Sequence, residues 1–65
     1  MDYTVTREIR NMAQDLCDEN GYESFAELTA DDIAYIGDEA DFDYVEICDI
    51  LVIDLPEGLE NLIKD

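Results

Sequence analysis

Apolar residues recur with helical spacing through most of this chain. Val5, Ile9, Met12, Ala13, Leu16 and Cys17 fall at i, i+4, i+7, i+8, i+11 and i+12, one stripe of an amphipathic helix. Asn20-Gly21 closes it, since glycine takes the left-handed conformation at a helix end without penalty. The spacing predicts a helix over residues 4–20. Residues 22–28 read as a turn or a single helical turn. Thr29 suits an N-cap with Asp32 three positions on, an acidic variant of the capping box. A second helix from Ala30 to about Glu39 would bury Ile33, Ala34 and Ile36, with Tyr35 at its border and Gly37 weakening its last turn.

Residues 38–43 read as a break, after which Asp41 or Asp43 can cap the next element. From Asp43, Glu46 stands at the third helical position. Residues 43–54 are almost continuously apolar, interrupted by Glu46 and Asp49. Three apart, these two share a helix face but would point to opposite faces of a strand. That favours a central, mostly buried helix, while the β-branched content keeps a strand as the alternative. Pro56 suits the first turn of a final helix whose apolar face is Leu59, Leu62 and Ile63. The expected fold is all-α, a bundle of about four short helices. The alternative is α+β with one or two strands within 42–55.

Length and composition narrow this picture. With 65 residues, the chain is expected to form a single acidic domain over 1–65. Its core should be small, because so short a chain buries only about 60% of its unfolded surface. At 48% apolar residues it is nevertheless not the composition of a disordered acidic tail. The expected radius of gyration is about 11 Å, hence a diameter of about 28 Å.

Charge changes the picture most. Nineteen Asp and Glu stand against three Lys and Arg and no His, a net charge of -16. Without His the usual neutral-pH base is missing, and with it Ser-His and Cys-His nucleophile pairs. Two Cys without His cannot complete a four-ligand zinc site. Such a charge repels phosphate, which argues against direct contact with nucleic acid or anionic lipid. No secretory leader is expected, since Asp2 stands where a basic segment would be. No apolar run is long enough to span a membrane. Cys17 and Cys48 are expected as buried, reduced thiols, pairing only if their helices touch.

The placement of the charges matters more than their number. Between Asn11 and Ile63 there is no Lys or Arg, so the acids lack partners. Asp18 and Glu19, and again Asp38 and Glu39, lie at helix C-terminal ends, where the helix dipole disfavours anions by a few tenths of a kcal/mol. Local rules broken in this way mark functional positions. The candidate partner-binding residues are Asp31, Asp32, Asp38, Glu39, Asp41, Asp43, Glu46 and Asp49, around one helix–turn–helix junction. Asp15, Asp18 and Glu19 form a second patch, and Tyr35 and Tyr44 are candidate aromatic contacts. About 28 Å of duplex DNA carries about 16 phosphate charges, the same total as this chain.

Rival motifs fit poorly. From Asp41, an EF-hand loop would need an acid at Val45, glycine at Glu46 and glutamate at Val52. Paired-carboxylate catalysis needs a cleft that a chain this short rarely supplies. The lone serine, Ser24, does not sit in the Asp-Ser-Leu motif of acyl carrier proteins. A helix–turn–helix over 30–54 would present Glu46 and Asp49 where DNA readers carry Lys or Arg.

Small, His-free and nearly base-free, with a helical core and its densest acids in Asp38-Glu39-Ala40-Asp41-Phe42-Asp43, the chain resembles phage-encoded nucleic-acid mimics. Among these it is most similar to the small anti-CRISPR proteins, particularly those against type I, Cascade-type systems. Such proteins share no common fold, so no binding residue is carried over. The resemblance implies a non-enzymatic inhibitor acting in the bacterial cytoplasm. Its partner would be a basic nucleic-acid-binding protein, a Cas effector subunit, with no cofactor, catalytic residue or metal. The alternative is an acidic antitoxin-like or regulatory module that neutralises one basic protein.

Overall fold

The computed structural model describes residues 3–63. Helix α1 (Tyr3–Asn20) forms where the apolar stripe predicts it, with Ile9, Ala13 and Cys17 buried and Val5, Met12 and Leu16 half-buried beside them. A 3-10 turn at Phe25–Glu27 follows, and Leu28 is buried behind it. Helix α2 (Ala30–Ala40) starts with the expected capping box: Asp32 N–H donates to Thr29 Oγ1 at 3.3 Å, and Thr29 N–H donates to Asp32 Oδ2 at 3.1 Å. Helix α3 (Tyr44–Leu51) and the short α4 (Leu59–Ile63) complete an all-α bundle, with no strand among the described residues.

Helices α1, α2 and α3 stop in the same way. Their last turns are closed by Tyr22 N–H to Cys17 O, Phe42 N–H to Gly37 O and Ile53 N–H to Cys48 O, at 2.9, 2.9 and 3.0 Å. In each, the preceding residue is left-handed: Gly21 (φ 73°), Asp41 (φ 58°) and Val52 (φ 58°). Only the first carries glycine, and only that stop is signalled plainly by sequence. Asp38, Glu39 and Ala40 therefore belong to α2, and the break is confined to 41–43. The helix expected over 43–54 ends at Leu51. The final helix begins at Leu59, with Leu59 N–H bonded to Pro56 O in the turn before it.

Helix α2 lies centrally, touching α1, α3 and α4. Its Ile33 and Ile36 meet Ile9, Ala13 and Cys17 of α1, Ile47, Cys48, Ile50 and Leu51 of α3, and Leu59 of α4 in one core. Full burial of an Ile or Leu side chain contributes about 1.5–3 kcal/mol. Ala34 is only half-buried, and Leu62 and Ile63 remain exposed, so the expected apolar face of α4 reaches the core through Leu59. Cys17 and Cys48 are both buried and free, although α1 and α3 pack together. Among the described residues no polar or charged side chain is buried. The radius of gyration is 10.8 Å and the extents are 29 × 28 × 18 Å.

Candidate acidic interface

Helix α2 turns its buried residues toward the other three helices, and what remains faces solvent. Asp31, Asp32, Tyr35, Asp38 and Glu39 fall at i, i+1, i+4, i+7 and i+8, one stripe opposite Ile33 and Ile36. Four acidic residues thus share one helix face with Tyr35. Tyr35 is 53% exposed, well beyond the border position expected of it. Asp32 has a structural duty as well, through its bond to the Thr29 N–H. Burial, with the Asp32 carboxylate beside it, pushes the Tyr22 phenol up.

The α1 side is where the two sequence patches meet. A groove of about 470 Å3 is lined by Met12, Asp15, Leu16 and Glu19 of α1 and by Asp32 and Tyr35 of α2. Half-buried Met12 and Leu16 lie in its lining, and carboxylates come from both helices. Asp15 and Glu19 therefore join the α2 stripe. Asp18, between them in sequence, does not line the groove and accepts a hydrogen bond from Gln14 Nε2 at 3.1 Å. Met12 and Leu16 were expected only as part of the α1 core stripe. Their place at its margin, interleaved with Asp15 and Glu19, is the signal that could have found the groove.

No family model, curated protein or solved structure matches this chain.

The remaining candidate acids go elsewhere. Asp41 and Asp43 are exposed in the turn between α2 and α3. Glu46 and Asp49 are exposed on one side of α3, as their spacing requires, and line a different groove with Thr6, Arg10, Ile50 and Val52. Thr6 and Arg10 lie across the buried stripe of α1 from the Asp15 and Glu19 flank. The eight acids thus do not form one face: Asp32 borders the α1 groove, Asp38 accepts from Tyr44 of α3, and Glu46 and Asp49 line another groove with Arg10.

Tyr44 is engaged within the fold. Its ring lies against Gly37, and its hydroxyl donates to Asp38 Oδ1 at 2.8 Å. That bond, then burial, pushes the Tyr44 phenol up. Burial likewise raises Cys17 and Cys48, with Asp18 and Asp49 adding their negative charge.

Among the described residues, Arg7 and Arg10 make no ion pair, and Lys64 lies outside them. No group of three or more His, Cys, Asp or Glu among them is placed to hold a metal ion. No helix is long and apolar enough to cross a membrane. What the arrangement offers is a negative surface with an aromatic centre and an apolar seam.

Proposed function

We propose that the protein is a non-enzymatic inhibitor that presents phosphate-like charge to a basic nucleic-acid channel and excludes the nucleic acid by competition. The resemblance of the chain points to a type I CRISPR effector as the target. The observation that carries this reading is the α2 stripe. Its four carboxylates span the eight rises from Asp31 to Glu39, about 12 Å of helix at about 1.5 Å each, as two pairs, or about one charge per 4 Å on average. One strand of DNA carries about one phosphate per 3.4 Å of axis. Asp15 and Glu19 add a second, shorter row across the groove.

The test is displacement of labelled target DNA from a purified type I effector complex. Asp31→Asn, Glu39→Gln, Asp15→Asn and Glu19→Gln are combined, sparing Asp32 and Asp38 for their internal bonds. Four exposed charges at about 0.4 kcal/mol each predict a loss of about tenfold in potency. Displacement by the wild type should weaken steeply with added salt, as steered encounter does. Failure to displace DNA at low salt, or undiminished displacement by the neutralised variant, refutes the reading.

A second reading, the antitoxin-like module, draws on another surface. Phe42, Asp43, Tyr44 and Val45 line a groove of about 430 Å3 together with Leu62 and Ile63. A module that neutralises one basic protein would set the Asp43 carboxylate beside these apolar contacts.

A further inference from the structure

We propose that the groove between α1 and α2 seats an arginine side chain of the partner, its guanidinium stacked on Tyr35 and its methylene stem along Met12 and Leu16. This rests on the reading above and adds the recognition chemistry: arginine, rather than positive charge in general. Three features lead to it. Half-buried Met12 and Leu16 line the groove beside the carboxylates, so it suits an occupant that brings apolar surface with its charge. An aromatic ring more than half exposed stands at the centre of the acidic stripe, and a cation is attracted to such a face. The carboxylates of Asp15, Glu19 and Asp32 rim the groove, yet no three acids among the described residues converge as metal ligands would. A broad, flat, weakly hydrated cation fits this layout. Guanidinium has those properties, whereas the ammonium of lysine is a compact and strongly hydrated charge.

The full chain, labelled with nitrogen-15, is titrated with hexa-arginine and with hexa-lysine at matched ionic strength. The arginine peptide should bind about fivefold more tightly, within the range of a cation–π contact. Amide shifts should concentrate at residues 12–19 and 31–39 rather than 46–52. Tyr35→Leu should bring the two peptides to parity, and Tyr35→Phe should keep the preference. Both variants should fold, since the side chain is largely exposed. Equal affinity for the two peptides, a preference that survives Tyr35→Leu, or shifts centred on residues 46–52 would overturn the arginine seat. Those results would leave the competition reading standing if DNA is still displaced. A Tyr35-dependent preference without DNA displacement would uphold the seat and overturn the competition reading.

Discussion

Gly37→Ala sets helix propensity against packing. In an open helix interior, replacing glycine by alanine stabilises by about 1 kcal/mol. Gly37 is buried in α2, however, and an added Cβ would stand 2.5 Å from Tyr44 Cδ1, 2.7 Å from Cε1 and 3.0 Å from the Phe42 carbonyl oxygen. The ring cannot yield freely, because its hydroxyl is bonded to Asp38 at 2.8 Å. Either the ring swings out and gives up that bond with its packing, or the α2–α3 corner opens. Overpacking of this kind costs about 1–3 kcal/mol. After the helix gain of about 1 kcal/mol is subtracted, the variant should be less stable by up to about 2 kcal/mol. For a domain of this size each kcal/mol is worth about 4–8 °C, so the melting temperature should fall by up to roughly 15 °C. Thermal and urea unfolding followed by far-UV circular dichroism measure this directly. The same substitution in a Tyr44→Ala background removes the clash, and there it should be neutral or stabilising. A Gly37→Ala protein that melts at or above the wild-type temperature would refute the reasoning. An equal loss with and without the Tyr44 ring would do the same.

Val52 should behave in the opposite way. It is β-branched, left-handed and 83% exposed, so Val52→Gly relieves about 1–2 kcal/mol of backbone strain at little loss of packing. After the extra unfolded-chain entropy of glycine, urea unfolding should show a gain of about 1 kcal/mol, and a lower midpoint would contradict the assignment. Alkaline pH should weaken the fold. Cys17, Cys48, Tyr22 and Tyr44 are held above their ordinary values of 9.0 and 10.0, so their neutral forms are favoured by folding. That contribution is whole below the unfolded values and is lost as pH rises through the higher folded ones. The urea midpoint should therefore decline from about pH 9 upward, and a flat profile to about pH 11 would be inconsistent with it.

Much of the fold is legible in the chain because it rests on local rules. The stripe of α1, the Thr29–Asp32 capping box and the spacing of Glu46 and Asp49 are each set within a few residues. The helix ends at Asp41 and Val52 are not legible. Neither residue prefers the left-handed conformation that the following N–H bonds to Gly37 and Cys48 impose. Both helices stop because the chain must turn back over the core, not because a glycine tells them to. Gly37 shows the same limit: by propensity it weakens a helix, whereas in the fold it makes room for the Tyr44 ring.

The candidate site divides along the same line. Composition and order along the chain determined that the middle of the molecule is negative, without bases, and that the acids of α2 lie on one stripe. Those are properties of charge and of helical period, which need no neighbour. Only the tertiary structure decided that Asp15 and Glu19 line one groove with Asp32 and Tyr35, that Asp18 does not, and that Glu46 and Asp49 share another groove with Arg10. Which helices lie side by side follows from how the bundle buries Ile9, Ile33, Ile36 and Ile47 together. Surface charges contribute too little to choose that arrangement, so the core sets where they meet.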